Sequence, residues 1–269
     1  MVIDFHTHAF PEKIAAGALA DLAKTAKMDP CHNGCVDGLL GSMKRCGVNI
    51  GVMLPVITSV KQFDSIIRFA NNINKTPTED PDCKLIAFGG THPDDENYEA
   101  HLKYLVSEGF KGIKIHPAYQ HTDFNDIKYK RIIGTASELG LIVITHAGPD
   151  PYDPSYDYCS PDMVLDVLKD VAPEKLILAH MGSCFNYDES EEKLCGQNVF
   201  IDTAHSLRHI DKDQFVRMVR KHGADRILFA TDSPWGDQLE FINFVKNSGL
   251  NEEEQNLIFS ENAKKLLNI

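Results

Sequence analysis

The sequence predicts a closed (β/α)8 barrel in one domain spanning residues 1–269. Three observations carry this: eight short apolar or β-branched runs, helical periodicity between them, and a constant asymmetry in the links that join the two. The runs are VIDFHTH (2–8), IGVMLPV (50–56), LIAFGGTH (85–92), KGIKIH (111–116), LIVITHA (141–147), KLILAHM (175–181), VFIDTAH (199–205) and RILFATD (226–232). An open doubly wound sheet would usually carry a glycine-rich phosphate turn after its first strand, and HTHAFPEK has none. The fold class is therefore α/β, a TIM-like (β/α)8 barrel.

The intervening segments read as helices. Phe63, Ile66, Ile67, Ala70 and Ile73 fall on one face of the stretch after the second strand, and Phe215, Val216 and Val219 do so before the eighth. Ser160-Pro161 reads as an N-cap followed by proline at the first helical position, while Gly109, Gly140, Gly223 and Gly249 each follow a helix-like stretch. Links from helix to strand are short (EGF, ELG, VAPE, KHGAD). Links leaving strands are long and polar, as in PAYQHTDFND, GPDPYDPSYDYCS and SCFNYDESEEKLCGQN. Barrel enzymes build their sites on the second set, at the carboxyl ends of the strands.

Composition narrows the partners. With 27 Lys and Arg against 39 Asp and Glu, the formal charge of −12 repels phosphate backbones and anionic lipid surfaces, so neither nucleic acid nor membrane is an expected partner and a small-molecule substrate is. The opening MVIDFH has no signal-peptide pattern, and no apolar run approaches the length of a membrane helix; a cytoplasmic location is expected. Seven scattered cysteines suit a reducing compartment better than a disulfide framework. Cys31 and Cys35 in CHNGC lack a second cysteine pair and read as ordinary loop thiols.

Seven of the twelve histidines, His6, His8, His92, His116, His146, His180 and His205, fall at or near the carboxyl end of a predicted strand. In a strand, positions i and i+2 point to one face, so His6 and His8 can converge on one ion. Two unligated imidazoles buried together would be costly without partners. Asp232, at the end of the eighth strand and next to the first in a closed ring, supplies an anion; the competing reading makes it a helix N-cap in TDSP. His6, His8, His146 and Asp232 form a nitrogen-rich, singly anionic set suited to one divalent ion, Zn²⁺ being the expected metal, with room for a water. A water on such an ion supplies hydroxide near neutral pH, and Asp232 is also placed to take its proton. His180 is expected to act beside the metal as an acid, a base or a polariser of a substrate carbonyl.

The ordered set DFHTHAFP, GIKIHP, THAG, LAHMGS, TDSPW and the terminal IFSENAKKLLNI resembles the amidohydrolase superfamily. Within it, the resemblance is to the amidohydrolase-related branch that includes aminocarboxymuconate-semialdehyde decarboxylase. It implies a mononuclear metal barrel, with His6, His8, His146 and Asp232 as ligands and His180 as the catalytic histidine. His116 corresponds to a position near substrate, and His92 and Trp235 are weaker candidates for lining the pocket. Binuclear members of the superfamily bridge two metals with a carboxylated strand-four lysine, which keeps Lys114 in view; an ion pair of Lys114 with Asp4 or Asp202 is the alternative. A homodimer is a further expectation from the family.

The leading functional expectation is a metal-dependent hydrolase acting on a small amide, lactone or ester-like substrate. The alternative is non-oxidative decarboxylation of a small unsaturated or aromatic acid, and the chain's compactness leans toward hydrolysis. A third reading is a barrel that binds metal or ligand without turnover, against which the full ligand set argues. Tyr119, Tyr152 and Tyr156 are expected near substrate or in the covering loops, and Arg208 in solvent.

Overall fold

A computed structural model describes residues 1–78 and 80–269. Its strands are β1 (Ile3–Thr7), β2 (Ile50–Met53), β3 (Lys84–Ala87, resuming at Gly89–Gly90), β4 (Gly112–Ile115), β5 (Ile142–Thr145), β6 (Leu176–Leu178), β7 (Phe200–Asp202) and β8 (Ile227–Leu228). Each pairs with the next in parallel, as expected of strands joined by helical crossovers. The third run is not one strand. Phe88 interrupts it, and the amide of Phe88, donating to the Met53 carbonyl at 2.9 Å, carries the ring across the break. β1 and β8 close the ring: Phe5 N donates to Phe229 O, Asp232 N to His6 O and His8 N to Ser233 O, and Thr7 forms a parallel bridge with Ser233.

The core follows from strand alternation. Ile113 and Ile115 of β4 face outward into the buried apolar layer that also holds helix residues such as Ile132, Val164 and Phe215, while Lys114 between them faces the barrel interior. The interior is filled by residues from around the ring, among them Ile3, Phe5, Val52, Phe88, Ile144, Ile177 and Leu228, together with Leu266 and Leu267 of the closing helix. β1 departs from strict alternation, because its register against β2 shifts between Asp4 and Thr7. That bulge lets Phe5 fill the interior while His6 and His8 both reach the mouth.

Eleven α-helices surround the strands among the described residues. Those that bear on the mouth are α1 (Glu12–Ala26), which leaves β1 after only residues 8–11, and α3 (Phe63–Lys75), which follows β2; α2 (Val36–Cys46) lies between them in the chain. The Ser160 side chain caps the helix Pro161–Val171 as the sequence predicts. The seven cysteines are free. Among the described residues, no helix is long and apolar enough to cross a membrane.

Candidate metal centre and active site

The mouth opens into a cavity of about 480 Å³, lined by six of the seven strand-end histidines and by Lys114, Asp150, Asp232 and Trp235. At its base, His6, His8 and Asp232 each offer one donor atom within 4.8 Å of the others. Hydrogen bonds behind the rings fix which nitrogen points inward. His8 Nδ1 donates to the Leu54 carbonyl (2.8 Å), and His6 Nδ1 donates to the Asp202 carboxylate (2.8 Å). Both Nε2 atoms, lone pairs outward, therefore face Asp232 Oδ1, at 3.0 Å from His8 and 3.4 Å from His6. Three acceptors aimed at one another are unfavourable unless a cation stands among them. Asp232 itself sits on left-handed backbone (φ +66°), a strained conformation that fixes its carboxylate under the imidazoles. Burial opposes its ionisation, but the closeness of the His8, His180 and His205 imidazoles holds its carboxyl well below the usual range.

Asp202, at the end of β7, organises one side of the site. Its Oδ1 accepts from the amides of His180 and Ala204, and its Oδ2 orients His6. Lys114 Nζ lies 3.4 Å from His6 Nε2. Burial draws the lysine pKa down and the Asp202 pKa up, and their mutual attraction opposes both shifts. Asp4, one partner foreseen for Lys114, is instead engaged by Thr231 and Gln238.

His146 takes a different set of neighbours. Its Nδ1 contacts His180 Nε2 at 3.0 Å, and because His180 Nδ1 donates to the Ala204 carbonyl, His146 donates in that bond. This leaves His146 Nε2 as a buried acceptor with no hydrogen-bond partner, 3.6 Å from the Asp150 carboxylate. His116 stacks between Tyr119 and His146, with ring centroids 3.9 and 4.4 Å apart, and its Nε2 is 3.7 Å from Asp150. His116, His146 and Asp150 form a second cluster of mutually close donor atoms.

Of the remaining expectations, Trp235 lines the cavity, its amide donating to the Asp232 carbonyl (2.8 Å) and its carbonyl accepting from Arg208. Arg208 is exposed, as expected, and is also held by Glu240. His92 is not among the lining residues. Its Nδ1 accepts from the Asp94 amide, so the ring closes a local turn after β3 instead of facing the mouth. Tyr119 and Tyr152 line the cavity, whereas Tyr156 is exposed and donates to Asp123. Sequence reading gave Asp150 no role, because it sits in an irregular loop where no periodicity fixes direction. Asp202 carries a fainter signal, a carboxylate inside an apolar strand.

No curated protein sequence matches the chain. Solved structures do match in fold. A 2,6-dihydroxybenzoate decarboxylase from Rhizobium is 17% identical, with 99% of this chain and 98% of that one covered and a TM-score of 0.71. For 5-carboxyvanillate decarboxylase from Sphingomonas paucimobilis the identity is 13%, the coverage 100% and 99% and the TM-score 0.71. A dihydroxybenzoic acid decarboxylase from Polaromonas sp. JS666, with bound manganese and 2-nitroresorcinol, is 16% identical over 99% and 96% at 0.71. This chain spans nearly all of each, so compactness does not separate it from decarboxylases. The amidohydrolase family model matches residues 3–269, and the chain belongs to that family of enzymes.

Proposed function

We propose that the protein is a divalent-metal-dependent decarboxylase of a small unsaturated or aromatic acid. The observation that carries this reading is the convergence of three acceptors, His6, His8 and Asp232, at the base of a largely apolar cavity whose lining has one cationic side chain, Lys114. His6, His8 and Asp232 would hold the ion, with the unpartnered Nε2 of His146 as a fourth donor. When bound, the ion supplies Lewis acidity toward an anionic substrate. Zinc suits the nitrogen-rich set, while the Polaromonas structure holds manganese; elemental analysis of the purified protein distinguishes the two.

The chain's own groups suit loss of CO₂. Apolar walls disfavour a carboxylate and tolerate neutral CO₂, so leaving solvent raises the acid toward its transition state. Lys114 attracts the carboxylate into the cavity, and His116 and Tyr119 offer flat faces to an unsaturated ring. As C–C cleavage returns its electron pair to carbon, one proton must arrive there, giving R–H and CO₂ from R–COO⁻ and H⁺. His180 is the group assigned to that proton. With Nδ1 committed to Ala204, its Nε2, which accepts from His146 Nδ1, is the atom through which it can gain or give a proton.

Hydrolysis remains the second reading, favoured by the family to which the chain belongs. Assaying metal-loaded protein with hydroxybenzoates and other unsaturated acids, and with lactones, amides and esters, separates the two. Release of ¹³CO₂ from carboxyl-labelled acids, abolished by chelation and by His180→Asn, is the expected result. Hydrolysis of a neutral panel member without CO₂ release would overturn it.

A further inference from the structure

The cavity extends well beyond the metal-site residues. Among its described lining residues, formal charges occur only at Lys114, Asp150 and Asp232, all at the barrel end. The other arm runs between α1 and α3 and is mostly apolar, lined by Ile14, Ala18, Leu22 and Met28 on one side and by Ile66 and Phe69 on the other, with the uncharged Thr25, Gln62 and Ser65 interspersed. Helix geometry aligns the α1 part of this lining in a stripe, since positions 14, 18 and 22 recur on one face and span about 12 Å at 1.5 Å per residue.

The core does not use this stripe. α1 buries only Ala15 and Leu19, on the neighbouring face, and Ile14 is largely exposed. A helix that anchors itself through two residues and leaves its next apolar row over a cavity lacks a protein partner for that row. The row is continuous with the metal-site residues through one uninterrupted cavity.

We infer that this arm is a substrate subsite, and that the acid turned over at the metal end carries an extended apolar substituent, alkyl or aryl, seated between α1 and α3. The inference rests on the proposed acid substrate and adds its shape: a charged head at Lys114 and the metal ligands, and a hydrocarbon tail directed away from them. A bare benzoate would leave the arm filled with water against mostly apolar walls.

The test is a chain-length series of 4-alkylbenzoates, methyl through octyl, with the matching neutral methyl esters as a second series. Binding to manganese-loaded full-length protein is measured by calorimetry. Affinity is expected to rise about fourfold per added methylene until the arm is full, then level off. Ala18→Phe should shift the plateau to shorter chains, and Leu22→Asp should flatten the series; circular dichroism and Tm verify that each variant is folded. Acids that bind with no dependence on chain length would overturn the subsite and leave the proposed reaction standing. Esters that show the slope while the acids fail to bind would keep the subsite and remove the acid reading. A dimer in light scattering that Leu22→Asp dissociates, with a flat series, would assign the stripe to a second copy of the chain and overturn the inference.

Discussion

At the residue scale, His8 supports the ion proposed at the base of the cavity. Its Nδ1 proton is committed to the Leu54 carbonyl, so a neutral ring can only turn a lone pair toward Asp232. Asp202 does the same for His6, and the geometry makes it hard to replace. Its Oδ1 is held by two amides, so an asparagine there would turn its NH₂ toward the His6 Nδ1 proton. Asp202→Asn should therefore weaken divalent metal binding by roughly 10- to 100-fold, read by chelator competition; an unchanged affinity would show that the His6 tautomer is not set there. His222, far from the site, gives the pH dependence. Burial lowers its pKa to about 4, and only the neutral ring can both donate to the Val199 carbonyl and accept from the Gly196 amide. The unfolded chain takes up a proton from about pH 6.5 downward while the native state does not. Stability is thus fully present above 6.5 and is lost progressively as pH falls toward 4. The loss from this group is about 2 kcal/mol by pH 5. In urea titrations at pH 7.5 and 5, His222→Gln should show a correspondingly shallower decline than the parent; equal declines would refute it. His6, His8 and Asp232 were legible in the sequence because strand direction and ring closure together fix where they point. Asp150 was not, since its loop has no period.

Among the elements, the stretch after β5 shows how close packing places the site. Gly148 has φ +84°, and a Cβ there would lie 2.2 Å from the Cys184 amide, which itself donates to the Ala147 carbonyl. The segment carrying His146 can therefore lie against the loop after β6 only with glycine at this position. Gly148→Ala should cost about 2 kcal/mol or more, seen as a lower urea midpoint. A neutral effect would mean that the two loops separate freely. Positions of the eight strand runs were readable from their apolar character. The break in β3 was not, because nothing in LIAFGGTH marks Phe88 as the residue where pairing changes sheets. The β1 bulge was likewise hidden, since HxH fits a regular strand equally well. The apolar stripe of α1 was missed for another reason: periodicity reports an apolar face without saying whether protein or ligand will cover it.

For the whole molecule, binding an ion to the native state alone should raise stability by about 2.7 kcal/mol at a hundredfold excess of metal over its Kd. Differential scanning calorimetry of chelated and metal-loaded protein measures this, and the rise should disappear in His8→Ala. An identical Tm for both samples would argue against an ion held by ordered residues. The closure of β1 onto β8 has a consequence for biogenesis. During synthesis His6 and His8 precede their acidic partner, Asp232, by more than two hundred residues. Until that last segment docks, the ring stays open and the two imidazoles have no fixed depth at which to grip an ion. Capture of an ion at the proposed site would therefore come late in maturation, open only to a finished cylinder.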